Sequence, residues 1–429
     1  MGSSDKIINR WQVVGGAILI QLCLGAIYAW SVFTPYLTGK LVDPVNHFSF
    51  TKTQTQIIFS VGLAAFAFVM VFAGRWQAKY GPRKIAMIGG TLLGLGYILG
   101  GLFGQSFITQ VIFIGLIGGA GIGFGYVCPI SVGMKWFPDK KGLITGLAVA
   151  GFGFGALIWM KLADNWGHLL ASYGVLKVFL IYGIVFVVMI LVGSIWMVNP
   201  PAGWKPAGWI PPEPKKGKVV ATGDFTSSDM LRRPQFYGLW VMFIFSGMAG
   251  LMTIGIIKLF GIEALQERGA LSAEQASAVA GTAMAVFYSL ANGLGRIIWG
   301  TLSDKIGRKL SLFIMTLTQG IMMLLFYTMG GNQYLLYLGA TIIGFNFGGN
   351  FALFPTATAD FFGTKNIGQN YPYVFTAYGI GGIIGPIMAG SIRDMVGGWF
   401  PAFLISGIAC LIAAGIALSL KPPKALAKA

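Results

Sequence analysis

The sequence predicts an all-α membrane protein with twelve transmembrane helices in two pseudo-symmetric six-helix halves. Three observations carry this. First, 55% of the 429 residues are hydrophobic and 10% are charged, with a mean hydropathy of +0.74; soluble domains average about 25% charged. Second, the apolar residues run in blocks of about twenty or more, the length of a helix crossing a bilayer. A membrane barrel shows alternating segments of about ten residues instead. Third, the chain repeats itself at a spacing of roughly 226 residues, as Gly74 and Gly300 illustrate. The 64 glycines fit helices packed backbone to backbone in lipid.

The expected spans of the first half are 11–38, 54–75, 84–104, 107–134, 142–163 and 173–198. The first follows Lys6 and Arg10 and superficially resembles a signal peptide, but it is too long and lacks a small-residue cleavage site. The second runs into the basic loop "GRWQAKYGPRK", the fourth contains "GFGYVCP", and the fifth follows "KWFPDKKG" and carries "GFGFG". After the sixth comes the one long polar stretch, beginning "NPPAGWKPAGWIPPEPKKGK". It reads as a linker over 199–234 between halves at 1–198 and 235–429, with its tryptophans at the membrane interface. The second half is expected to span 235–260, 273–302, 310–329, 332–359, 367–392 and 396–420.

Lys and Arg set the orientation. With both termini and the linker on one side, that side holds 22 of the 30 basic residues and the other holds 7. Both termini are therefore expected in the cytoplasm, with the chain in the cell inner (plasma) membrane. In a soluble chain the net charge of +17 would point to nucleic acid; in short loops between spans it reads as topology, so no nucleic-acid partner is expected. The one basic residue left over is Arg296, in "ANGLGRIIWG". All acidic residues and both histidines read as lying in loops or at span ends, with Asp360 the nearest exception. Cys23, Cys128 and Cys410 fall in apolar runs and read as packing residues.

The repeat pairs Gly74 with Gly300, Lys79 with Lys305, Gly81 with Gly307 and Pro129 with Pro355. Phe137 falls near Phe362, and "GFGFG" at 151–155 faces "GIGGIIG" at 379–385. Parallel duplication of a six-helix half is the plan of a rocking transporter with its site between the halves. The G-x-x-x-D-K-x-G-R-K pattern after the second and eighth spans resembles the loop signature of the major facilitator superfamily. The first copy departs from it, with Ala78 in place of the acid that the second keeps as Asp304. The resemblance implies a cytoplasmic clamp in which Asp304, Arg308, Lys79 and Arg83 gate the site; the alternative is ordinary positive-inside charge. More narrowly, "KWFPDKKGLITGLAVAGFGFG", "MLRRPQFYGLW", "NGLGRIIWGTLSDKIGRK" and "FALFPTATADFFGT" are similar to the monocarboxylate transporters and the oxalate/formate antiporters.

Arg296 stands about two turns before Asp304, too deep for plain loop charge. An arginine near a helix centre costs about 2.5–3.5 kcal/mol on insertion, so either it serves a function or it snorkels to the interface. Asn292 lies one turn before it and Tyr288 one turn before that, on one face. A guanidinium takes a carboxylate through two parallel hydrogen bonds, and with no acid read inside the spans, the expected counter-ion is an anionic substrate. The resemblance places further walls at Tyr28, Tyr126, Phe347, Phe351 and Phe375. It also puts Tyr378 where the dicarboxylate antiporters carry a second cation, although Tyr378 also reads as a packing aromatic. One positive charge suits one carboxylate.

The expected function is secondary active transport of small monocarboxylates such as L-lactate and pyruvate, with H+ in symport, by a functional monomer in the lipid bilayer that needs no cofactor. The runner-up is oxalate/formate-type exchange. The animal transporters' Asp is replaced by Asn292, and their first-helix lysine is missing from "LGAIYAWSVF". Proton coupling then runs differently: the proton rides on the substrate, or neutrality at Arg296 gates the transition. An intramembrane enzyme is disfavoured because no Ser–His pair, paired Asp or metal motif is visible in the spans. The sequence carries no GxxxxGK[ST] phosphate loop for ATP-driven pumping. A receptor would bind without net flux.

Overall fold

The computed structural model describes residues 8–137, 141–201, 204–206, 224–363, 366–421 and 423. Most of the linker at 199–234, Lys6, Lys140, Lys365, Lys424 and Lys428 lie outside the described residues, as do the side chains of Ala78 and Lys141. Twelve long helices are found among the described residues.

Helix α1 (Arg10–Leu37) tightens to a 3₁₀ turn at Gly25–Ala29. Helix α2 (Lys52–Tyr80) opens on a capping box, in which the Thr51 hydroxyl accepts from the Gln54 N–H. That satisfies N–H groups that would otherwise lack partners at the first turn. Helix α3 (Pro82–Phe103) starts on proline, and α4 (residues 107–136) widens to a π-helix at Val111–Gly118. Helices α5 (Lys141–Ala163) and α6 (Leu169–Ser194) complete the first half. A short helix at Ser227–Leu231 leads into α7 (Pro234–Glu267). Then come α8 (Ala273–Ile306, π-helical at Ala283–Tyr288), α9 (Arg308–Met329), α10 (Gln333–Phe362), α11 (Ile367–Val396) and α12 (Phe400–Ser419).

The exterior is apolar. Phe68, Leu95, Ile184, Val188, Leu325 and Ile408 are exposed, while Gln319, Asn292, Asn350 and Arg296 are buried. That inversion suits a chain whose solvent is lipid, and this is a multi-pass membrane protein.

Several helix ends differ from expectation by a few residues, and two of them have a clear local reason. Helix α6 starts at Leu169 rather than 173 but breaks at Gly174, where φ is 74°. There the Asp43 carboxylate accepts the Val175 N–H at 2.7 Å, and a Cβ on Gly174 would sit 2.6 Å from that carboxylate. Helix α7 runs on to Glu267, past the expected end at 260. The charges of Lys258 and Glu263, which resemble a loop in sequence, are neutralised there by partners on other helices.

The repeat is visible in the backbone. Gly81 (φ 87°, ψ 151°) and Gly307 (φ 89°, ψ 156°) turn α2 into α3 and α8 into α9 with the same geometry, which only glycine adopts freely. Helices α3 and α6 pack as α9 and α12 do, and α2 and α4 as α8 and α10 do. The first six helices meet the last six chiefly through α2–α11 and α5–α8. The two glycine runs therefore do not touch each other. Gly153 of α5 approaches Gly293 of α8, while Gly379 and Gly382 of α11 lie on Ala67 and Leu63 of α2.

At the end away from the termini, polar links cross this seam. Lys258 Nζ donates to Asp164 at 2.6 Å, Thr53 N–H and Oγ1 to Asp394 at 2.8 and 2.5 Å, and Gln56 Nε2 to the Gly255 carbonyl at 3.2 Å. At the terminal end Arg75 donates to the Tyr373 hydroxyl across the seam.

The α8–α10 contact inside the second half is tighter than the α5–α8 contact at the seam. A Cβ on Gly295 would fall 2.1 Å from the Phe345 carbonyl oxygen of α10, whereas one on Gly153 would meet Gly293 N at 3.3 Å. Overpacking costs about 1–3 kcal/mol. Gly295→Ala is expected to lower the melting temperature of the detergent-solubilised protein clearly more than Gly153→Ala. Equal shifts would show that α8 and α10 can separate without strain.

Candidate functional site

Helix α8 brings Asn292 and Arg296 to the middle of the molecule, each 1% exposed. Arg296 Nε donates to Asn292 Oδ1 at 3.3 Å, and Nη1 to the Val149 carbonyl of α5 at 2.8 Å. Nη2 has no hydrogen-bond partner. The guanidinium carbon lies 4.1 Å from the Phe351 ring centre and 5.7 Å from that of Phe152, within cation–π range. The side chain points across the seam to α5 and does not snorkel. Tyr288 keeps its place in the column, but its hydroxyl is committed to the Gly250 carbonyl at 3.0 Å. It is a wall of the site.

The other candidates converge on the same point. The Tyr28 and Tyr378 hydroxyls are 2.9 Å apart, joining α1 to α11 across the seam. Tyr28 and Tyr126 both come close enough to Arg296 to interact with its charge. Tyr126 stacks on Phe375 at 5.7 Å, and Phe375 on Tyr378 at 4.8 Å. Phe347 is 5.7 Å from Tyr28, and Phe351 is 5.7 Å from Tyr378. All eight predicted site residues thus share one buried cluster, closed over the guanidinium in this conformation.

Further aromatic residues of the cluster were missed, among them Phe66, Phe152, Phe243 and Tyr371, the last 5.7 Å from Phe375. Phe66 is 5.0 Å from Tyr126 and 5.5 Å from Tyr378, Phe152 is 4.9 Å from Tyr28, and Phe243 is 6.4 Å from Tyr378. Phe152 carried a signal: it is the first aromatic of "GFGFG", beside Gly151 and Gly153, whose lack of side chains lets α5 approach α1 and α8. Phe66 and Phe243 stand among many apolar neighbours and carry none.

Arg296 is not the only deep charge, which corrects the reading of the sequence. Lys258 is 1% exposed and Glu263 9%, both inside α7. Each already has partners. Lys258 holds Asp164, and Glu263 accepts from Arg393 Nε at 2.9 Å and Trp399 Nε1 at 2.7 Å. No carboxylate forms an ion pair with Arg296 among the described residues. Its free nitrogen and the tyrosine hydroxyls around it therefore form a concentrated donor site, suited to an anion of carboxylate geometry.

The four gating candidates lie at the terminal end and bond within their own halves. Arg308 holds Asp304 at 2.6 Å and Asp360 at 3.0 Å. Arg83 donates to the Ile195 carbonyl, and Lys79 lies 5.2 Å over the Tyr80 ring. Cys23, Cys128 and Cys410 are buried and free.

The sequence profile of the Major Facilitator Superfamily matches residues 19–287 and 269–429 of the chain. The chain is 33% identical to the "Uncharacterized MFS-type transporter YhjX" of Escherichia coli (strain K12), over 89% of this chain and 88% of that one. It is 28% identical to the oxalate:formate antiporter of Oxalobacter formigenes, over 98% of this chain and 93% of that one. With monocarboxylate transporter 13 of Rattus norvegicus it shares 23% identity over 96% of its length and 88% of the relative's.

Proposed function

Because the chain belongs to the major facilitator superfamily and is a transporter rather than an enzyme, we propose that it carries small monocarboxylates such as L-lactate and pyruvate with H+ in symport. The observation that carries this reading is Arg296, buried with no carboxylate partner and with Nη2 unpaired among the described residues. A buried charge without a counter-ion is costly, and an arriving carboxylate removes that cost. The substrate lies between α8 and α5 with its carboxylate on Arg296, supported by Asn292 and the Tyr28 and Tyr126 hydroxyls. Phe347, Phe351, Phe375 and Tyr378 enclose its apolar tail.

Residues 1–198 and 235–429 move as two rocking units about the α2–α11 and α5–α8 seams, joined by the linker at 199–234. Both termini face the cytoplasm of the cell whose inner membrane holds the chain, and a monomer suffices. The polar links at the end away from the termini support a conformation closed to the outside. Asp304, Arg308, Lys79 and Arg83 gate the cytoplasmic end in the opposite conformation. With Asn292 in place of an acid beside Arg296, the coupled proton travels on the substrate or is admitted by neutrality at Arg296.

Uptake of L-lactate into proteoliposomes tests this. An inward-directed proton gradient is expected to speed uptake well above the rate without a gradient. Indifference to the gradient removes symport. The 28% identity with an oxalate:formate antiporter along nearly the whole chain favours a second reading, obligatory exchange, in which uptake appears only after a carboxylate is preloaded inside.

A further inference from the structure

At the end away from the termini, the seam holds a second charged cluster that the central site does not use. Lys258 of α7, 1% exposed, donates to Asp164 just past the end of α5 at 2.6 Å. Lys161, three residues before Asp164, is 8% exposed and forms no ion pair among the described residues. The two ammonium groups share one carboxylate and leave one net positive charge. Ser31 of α1 and Gly281 of α8 line the same cleft. Ser31 is 1% exposed and its Oγ has no hydrogen-bond partner. Gly281 leaves the room: a Cβ there would fall 3.2 Å from the Asp164 carboxylate and 3.7 Å from Lys258 Nζ.

The cluster lies on the way from this end to Arg296. Ser31 is one turn beyond Tyr28 on α1. Lys161 is twelve residues beyond Val149, whose carbonyl Arg296 holds, or about 18 Å along α5. Separating the halves here pulls Asp164 from Lys258. An unpaired buried ammonium is costly, so opening needs a replacement anion. Asp164 has a second cation three residues away in Lys161, whereas Glu263, on the helix of Lys258, is already held by Arg393 and Trp399.

We propose that this cleft is an outer anion site. As the halves part, Asp164 turns to Lys161, and Lys258 takes the carboxylate of the arriving substrate, with the Ser31 hydroxyl as a second donor. The substrate thus docks and favours the separation that admits it. This deepens the proposed anion transport and rests on it.

A mere lock would use the same ion pair, but the two roles part when each charge is removed separately. The measurement is initial L-lactate uptake from the outer side of proteoliposomes, alongside lactate binding to detergent-solubilised protein. Lys258→Gln is expected to raise the uptake KM on the order of ten-fold, the loss of one charge-assisted hydrogen bond. The affinity set at Arg296 stays unchanged. Lys258→Arg should restore KM. Asp164→Asn should lower KM, because it removes the competitor for Lys258, and this holds as an independent arm if Lys258→Gln fails to fold. Equal shifts in the same direction for Lys258→Gln and Asp164→Asn would make the pair a lock and overturn the inference. If the wild-type protein moves no monocarboxylate, the proposed function falls and this inference with it. If the wild type transports and only the variants disagree, this inference alone falls.

Discussion

Arg296→Ala is expected to abolish lactate binding and transport while the protein stays folded. Its guanidinium makes one long hydrogen bond to Asn292, one to the Val149 carbonyl and none through Nη2. The empty transporter therefore holds a charge whose desolvation is only partly offset, by those bonds and by the Phe351 ring at 4.1 Å. Truncation removes that charge, so insertion and thermal stability should be unchanged or improved. Binding loses the only cation in the central cluster among the described residues. A hydrogen bond to a charged group contributes about 1.5–3 kcal/mol, and a paired contact contributes two. Affinity should thus fall by at least a hundred-fold, since every 1.4 kcal/mol is about ten-fold. Arg296→Lys should also fail largely, because an ammonium keeps the charge but cannot present two parallel N–H groups. Calorimetric titration of the purified variants with L-lactate checks both. Near-normal affinity in either would remove Arg296 from the site.

The twelve spans were legible because hydropathy over about twenty residues reports what lipid demands. The repeated glycine turns were legible because only glycine holds the positive φ seen at Gly81 and Gly307. What misled the reading was charge. Lys258 and Glu263 looked like loop residues because their partners, Asp164 and Arg393, come from distant parts of the chain, and a window along the sequence cannot see them. Arg296 remained distinctive because no such partner is found for it among the described residues, and the polar Asn292 stood one turn away on the same face. Tyr28, Tyr126 and Tyr378 were assigned by resemblance. They differ from packing tyrosines only in three dimensions, where the Tyr28 and Tyr378 hydroxyls meet at the seam and Tyr126 comes close to Arg296. Phe66 and Phe243 were invisible for the same reason: phenylalanine in an apolar span looks alike whether it faces lipid, a neighbour or the cavity.

Tyr378→Lys is expected to change which anions the cavity accepts. Tyr378 is fully buried, stacks on Phe375 at 4.8 Å and turns its hydroxyl to Tyr28 at 2.9 Å, so a lysine there extends into the central cluster. The wild-type site offers about one positive charge and pairs with one carboxylate. A dianion in it keeps about one uncompensated negative charge in a poorly hydrated cavity, which is costly. With a second cation that cost disappears, while a monocarboxylate then leaves one ammonium unpaired. Lactate transport should fall, and oxalate or malonate should compete with lactate far better than in the wild type. Repulsion from Arg296 and burial both favour loss of the lysine's proton. Competition by dicarboxylates should therefore strengthen as the pH is lowered. The measurement is inhibition of labelled lactate uptake by oxalate, malonate and pyruvate, repeated across pH for wild type and variant. If dicarboxylates compete no better at any pH while lactate transport is unchanged, Tyr378 does not set the charge of the cavity. The preference for one carboxylate would then have to rest on Arg296 alone.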